Sequence, residues 1–185
     1  RFQANDDVLR VFAGRDSSGV RGIRLAEGRT PDTVISLSVL RHVDATVEER
    51  AAYLKHAAAS RRRPEDEADA AAEPDEAEEH VAELVLAPER IAELEAAEEL
   101  LLTVTDGGFG KRSSAYEYRV SGRGGLGIAN IRLSARTGAA VATTFPVRPG
   151  DGVMLVTNLG RLIRVPADQV RLTGRATMGV TLFRL

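Results

Sequence analysis

Gly122-Arg123-Gly124-Gly125-Leu126-Gly127-Ile128-Ala129-Asn130-Ile131-Arg132-Leu133 is answered, 52 residues on, by Gly174-Arg175-Ala176-Thr177-Met178-Gly179-Val180-Thr181-Leu182-Phe183-Arg184-Leu185. Both follow one template: Gly-Arg, three variable residues, Gly, Val or Ile, two variable residues, Ile or Phe, Arg, Leu. Gly14-Arg15 through Gly19-Val20 to Ile23-Arg24-Leu25 supplies a third copy. The register of the last two copies extends upstream without a gap. Val104-Thr105-Asp106 aligns with Val156-Thr157-Asn158, Gly108 with Gly160, Arg112 with Arg164, and Arg119 with Arg171. Such self-similarity at a fixed period marks a repeat architecture.

The first copy stands 108 residues before the second, about two periods, and the space between them has a different composition. That block reads as an insertion into a repeat of about 50 residues. Within a repeat, short β-rich runs alternate with turn residues. Val153–Thr157, Leu162–Val165, Val170–Leu172 and Val180–Leu185 read as strands, separated by Asn158-Leu159-Gly160 and other Gly-containing turns. Four short strands per unit is the pattern of a propeller-like blade, so the fold class is all-β with an α-helical insertion. The repeated glycines serve turn geometry or positive φ rather than chemistry.

Arginines recur between apolar neighbours: Leu9-Arg10-Val11, Ile23-Arg24-Leu25, Tyr118-Arg119-Val120, Ile131-Arg132-Leu133, Ile163-Arg164-Val165, Val170-Arg171-Leu172 and Phe183-Arg184-Leu185. Adjacent side chains of a strand face opposite ways, so apolar neighbours in the core put each arginine outside. Arg15, Arg123 and Arg175 form a second series in the turns. Guanidinium groups repeated at a fixed period suit the regularly spaced phosphates of a nucleic-acid backbone.

The net charge of −2 hides a division. Residues 1–40 carry +1, residues 41–100 carry −11, and residues 101–185 carry +8, with 12 basic against 4 acidic side chains. An acidic block thus masks basic repeats, and the asymmetry points to a polyanionic partner. The absence of cysteine excludes disulfides and thiolate metal sites, and makes a cytoplasmic location the simpler expectation. No apolar run suggests a membrane span or leader. The start at Arg1 reads as a cut within a longer protein.

Gly110-Lys111-Arg112-Ser113-Ser114-Ala115-Tyr116-Glu117-Tyr118-Arg119, followed by Gly122-Arg123-Gly124-Gly125-Leu126-Gly127-Ile128, resembles the C-terminal domain family of DNA gyrase A. So do Gly19–Leu25 and Gly179–Arg184, and the resemblance spans residues 1–43 and 99–185. The Tyr-Glu-Tyr-Arg and Gly-Arg-Gly-Gly strings match gyrase more closely than the related polypeptide of topoisomerase IV. The resemblance implies a β-pinwheel whose basic rim wraps duplex DNA, in support of ATP-dependent negative supercoiling. It implies the rest of gyrase A and the gyrase B polypeptide as partners in an A2B2 assembly, with nucleoid association. It carries no cofactor to this chain, since ATP and Mg would serve other parts of the enzyme, as would the catalytic groups. The rim residues it implies are Arg10, Arg15, Arg24, Lys111, Arg112, Arg119, Arg123, Arg132, Arg164, Arg171, Arg175 and Arg184. Two departures stand out. The family's gyrase box is not in this chain, and Arg1 corresponds to Arg112 and Arg164, so the chain opens in mid-blade.

The resulting organisation is a partial blade over residues 1–43, an Ala/Glu-rich insertion over 44–99, and two further repeats over 100–185. In the insertion, Thr46 and Glu49 have capping-box spacing, with Val47, Ala51, Leu54 and Ala58 on one helical face. Pro88 opens a second helix with Ile91, Leu94 and Leu101 at helical spacing. The charged stretch about 64–80 has the composition of a disordered segment that could compete with DNA for the basic rim. The pair of helices reads as an arm at a blade junction. Gly122-x-Gly124-x-x-Gly127 matches a dinucleotide fingerprint in form only, because a strand rather than a helix is expected after it. His42, His56 and His80 lack ligand spacing, and Tyr116 and Tyr118 read as packing on one strand face. A propeller-like scaffold for acidic protein surfaces is the competing functional class.

Overall fold

The computed structural model describes residues 1–5, 7–27, 32–61 and 84–184. The charged stretch 64–80 lies outside them, as does Leu185. Among the described residues, two helices, α1 (Val47–Arg61) and α2 (Pro88–Ala97), precede six strands: β1 (Leu100–Thr105), β2 (Phe109–Ser114), β3 (Val141–Val147), β4 (Gly152–Val156), β5 (Leu162–Pro166) and β6 (Val180–Thr181).

The period of 52 is visible in three dimensions. The β1–β2 hairpin and the 3₁₀ turn Ala115–Glu117 are followed, one period later, by the β4–β5 hairpin and the 3₁₀ turn Ala167–Gln169. The template's second glycine has a left-handed backbone in all three copies, with φ of 74° at Gly19, 80° at Gly127 and 79° at Gly179. A side chain with a Cβ adopts that conformation only under strain, which explains why the pattern demands glycine.

Successive repeats meet in the same way. The Ser121 amide donates to the Arg1 carbonyl at 3.0 Å, and one period on the Thr173 amide donates to the Arg112 carbonyl at 2.9 Å. Likewise the Arg24 amide reaches the Gly125 carbonyl at 2.9 Å, and the Arg132 amide reaches the Thr177 carbonyl at 3.1 Å. Arg1 therefore occupies the structural place of Arg112, as the alignment of the copies requires.

One sheet runs β3-β1-β2-β6, antiparallel throughout, and its last strand comes from the following repeat. The other sheet is the β4–β5 pair. Leu102 and Val104 of β1, Val147, Val153, Ala167 and Val170 form a core shared between the last two repeats. Because β1 is central and covered on both faces, Thr103 is buried as fully as Leu102. Its hydroxyl is satisfied by Asn130 at 3.0 Å and Thr144 at 3.2 Å.

Three expected strands are shortened or missing. Ile128–Leu133 is irregular, because the first repeat, whose described residues contain no strand, offers it no edge to pair with. Its Asn130 side chain instead ties it to Thr103, Thr144 and the Tyr118 hydroxyl. Val170–Leu172 contributes one isolated parallel bridge, Leu172 to Arg112. β6 stops at Thr181 because the amides of Leu182 and Phe183 both turn onto the Gly108 carbonyl, at 2.9 and 3.0 Å. Tyr116 and Tyr118 pack as expected, but from the 3₁₀ turn and its end rather than from one strand face.

The insertion is not a free arm. Tyr53 of α1 meets Tyr116 edge-on at 5.4 Å, and the Tyr116 hydroxyl donates to the Leu94 carbonyl at 2.9 Å. Tyr53, Ala57, Leu94 and Tyr116 make a second small core. The buried face of α1 centres on Tyr53 and Ala57, with the expected Leu54 partly buried against them and the expected Val47 and Ala58 exposed, because an aromatic ring on the repeat sets the contact. Val47 stays 59% exposed. The capping box forms, with the Glu49 amide on Thr46 Oγ1 at 3.2 Å and the Thr46 amide on Glu49 Oε2 at 2.9 Å. Arg90 joins the helices by an ion pair to Glu49 at 2.9 Å, and α2 ends at Ala97, leaving Leu101 to β1.

Candidate nucleic-acid interface

Of the twelve expected surface cations, Arg10, Arg15, Arg24, Arg119, Arg123, Arg132, Arg164 and Arg184 are exposed. Strand alternation places Arg164 outside, opposite Met154 in the β4–β5 hairpin. It lies over Gly152, where an added Cβ would fall 2.6 Å from its Nε. Arg15 stands almost fully in solvent with Asp16 at 3.9 Å, a pair worth little in water. The Arg123 Nε donates to the Val8 carbonyl at 2.9 Å, and the Arg10 guanidinium rests over the Phe12 ring at 5.6 Å.

Four positions depart from expectation. Arg112 is an inter-repeat staple: its Nε donates to the Val170 carbonyl at 2.8 Å, and its other nitrogens to the Asp168 carbonyl and carboxylate at 3.1 and 3.3 Å. Only 12% of its side chain is exposed, and burial lowers its pKa. Arg1 repeats the device, with its guanidinium on the Ala115 carbonyl of the following repeat's 3₁₀ turn at 3.0 Å. Arg171 and Arg175 are half-buried, and the Arg175 guanidinium donates to the Ala129 carbonyl.

Lys111 is the clear correction, for it is fully buried. Its ammonium donates to the carbonyls of Gly174, at 2.7 Å, and Arg175. Burial brings its pKa down to about 8, with Arg175 adding to the drop and Glu117 opposing it. The unfolded chain therefore binds more protons between about pH 8 and the ordinary lysine range. Across that window this group makes folding stability rise with pH. Urea denaturation at pH 7.5 and 10 is expected to show the native chain gaining stability relative to a Lys111→Met variant; parallel changes in the two would refute it.

Arg136, Arg148 and Arg161 are exposed as well. They sit in turns, outside the pattern of arginines flanked by apolar residues; the Gly160-Arg161 pair nonetheless repeats the Gly-Arg signal that marks the turn series. Among the described residues, no three His, Asp or Glu side chains gather to hold a metal ion. No described helix is long and apolar enough to cross a membrane.

This arrangement offers exposed, permanently charged donors on a repeated β-scaffold. The sequence model described as DNA gyrase C-terminal domain, β-propeller, matches residues 8–41, 99–148 and 153–185. The chain belongs to that family. The matched segments are the three repeats, and the gap between the first two is the helical insertion. The chain is 71% identical over its full length to the DNA gyrase A polypeptide of Granulibacter bethesdensis, covering 20% of that protein. It is 48% identical over 97% of its length to the gyrase A polypeptide of Rickettsia bellii, covering 19% of it. The chain thus spans about a fifth of these relatives. A solved gyrase A C-terminal domain superposes on 48% of the chain, and 30% of its own, with 25% identity and a TM-score of 0.45.

Proposed function

We propose that this chain binds duplex DNA through its phosphates, without sequence preference, as an accessory domain of DNA gyrase A. In that role it bends or wraps DNA next to the strand-passage machinery of a type II topoisomerase. ATP-dependent passage then yields negative supercoils. Catalysis, ATP and Mg belong to the remainder of gyrase A and to gyrase B, in a cytoplasmic, nucleoid-associated A2B2 assembly.

The observation that carries this reading is the set of exposed arginines repeated on equivalent positions, Arg24, Arg132 and Arg184 above all. Arginine is always charged and presents forked donors that fit phosphate oxygens. No base reading is needed, because phosphates recur at regular spacing whatever the sequence. The acidic balance of the whole chain does not oppose it, since the excess of acid lies in residues 41–100.

Equilibrium binding to duplex DNA across a salt series tests the reading. The slope of log affinity against log salt is expected near about −0.9 for each phosphate engaged, and equal for unrelated duplexes. A slope near zero would instead favour a scaffold for acidic protein surfaces.

A further inference from the structure

The turn Gly174–Arg175 is held from both sides by charged groups of the preceding repeat. On one side the Lys111 ammonium donates to the two carbonyls of the turn. On the other the Glu117 carboxylate accepts from the Arg175 amide. The turn also bonds internally, with Thr177 Oγ1 on the Gly174 carbonyl at 2.8 Å.

The two clamp residues are not repeated one period on, where Lys111 is matched by Ile163 and Glu117 by Gln169. Nor is Lys111 explained as filler. A buried ammonium is costly unless bonded and paired, and an apolar residue of similar length would fill the space at less cost. What the charge provides is a fixed turn: two carbonyls and one amide, all within Gly174 and Arg175, are bonded by charged groups. Charge-assisted bonds are about twice as strong as neutral ones.

We propose that Lys111 and Glu117 are positioning residues that set the Gly174–Arg175 turn, and with it the Arg175 guanidinium, for contact with a DNA phosphate. The inference rests on the DNA-binding reading above. It gives Lys111 an indirect part in binding, in place of the direct one its sequence position suggested. It also makes Glu117, an acidic residue in a basic domain, favourable to binding DNA.

That last consequence separates positioning from simple charge. Glu117→Ala removes a negative charge, so electrostatics alone would tighten binding to a polyanion. The clamp requires the opposite, a loss of about three- to tenfold in duplex affinity, the scale of one phosphate contact at moderate salt. Lys111→Met should lose a similar amount. Both losses should vanish in an Arg175→Ala background, since the clamp then has nothing to set.

The measurement is binding of a fluorescent duplex of about four helical turns to the whole chain and to these single and double variants, at about 0.1 M salt. Amide exchange at Arg175 is read in parallel, and is expected to accelerate in Glu117→Ala. Should Lys111→Met fail to fold, Glu117→Ala carries the test by itself. Equal or tighter binding by Glu117→Ala overturns the inference, as does a loss that persists undiminished without Arg175. If the unaltered chain itself does not bind the duplex, the DNA reading is what fails, and the phosphate role of the clamp falls with it.

Discussion

Replacing Arg119, Arg123 and Arg132 together by alanine is expected to lower duplex-DNA affinity by about a hundred- to a thousandfold at about 0.1 M salt. Each phosphate contact adds about 0.9 to the log–log salt slope, so each is worth up to about tenfold at that ionic strength. The slope should become shallower by about 2.7 for the triple variant, and by the same amount on unrelated duplexes. All three residues are exposed, and the side-chain bond the fold would miss is that of Arg123 to the Val8 carbonyl. Thermal denaturation should therefore be little changed, as for most surface substitutions. Arg112 is left out of the set because its loss would unpair the carbonyls of Val170 and Asp168, and would mix a folding defect with a binding one. Unaltered affinity in a folded triple variant would remove the basis for the phosphate track.

What was legible in the sequence follows a physical division. The repeat was legible because a left-handed position strains any residue but glycine, so Gly19, Gly127 and Gly179 recur at the same place in each copy while the residues around them vary. Among the arginines between apolar residues, strand alternation accounts for Arg164 alone; Arg10, Arg24, Arg119, Arg132 and Arg184 are exposed from residues outside the described strands, and neighbours such as Val11, Ile23 and Val120 are exposed beside them. What one repeat does to the next was not legible. Lys111 has the look of a surface cation among Gly110 and Arg112, and only the following repeat folding over it makes it a buried donor. Arg112, one residue on, is likewise drawn inward by the carbonyls of another 3₁₀ turn. The strand expected at Ile128–Leu133 failed for a related reason. A strand exists only where an edge is offered, and the edge that receives Val180 and Thr181 has no counterpart in the described part of the first repeat.

The helical insertion shows the same limit from another side. Its capping box could be read locally, since both partners lie within one turn. The face it buries could not, because Tyr116, a residue of the repeat, decides which side of α1 is covered. Composition made the segment look like a solvated appendage. Tyr53 and Leu94 pack it onto the β-domain, and the Arg61–Glu98 ion pair at 2.5 Å ties the end of α1 to the residues leading into β1.

The junction between the last two repeats makes the sharpest demand on a single residue, and Gly179→Ala is expected to be the most damaging small substitution in the template. Gly179, Gly127 and Gly19 share nearly the same φ, so a Cβ in the left-handed region costs about 1–2 kcal/mol at each. Their surroundings differ. A Cβ on Gly19 meets nothing within 4 Å, and one on Gly127 would make an ordinary contact of 3.5 Å with Ile23. A Cβ on Gly179 would lie 2.6 Å from the Gly110 carbonyl oxygen and 2.8 Å from its carbon, against backbone that cannot turn aside. Gly110 is itself paired with Val180 where β6 joins β2, so relief would pull β6 from the sheet edge. The total is expected to reach about 3 kcal/mol or more for Gly179→Ala, against about 1 kcal/mol for Gly19→Ala and Gly127→Ala. For a chain of this size the larger value lowers the melting temperature by about 6–12 °C. Calorimetry or urea denaturation of the three variants decides the matter by their order. A Gly179→Ala variant no less stable than Gly19→Ala would mean that β6 does not tie the two repeats together as the close approach of Gly179 and Gly110 requires.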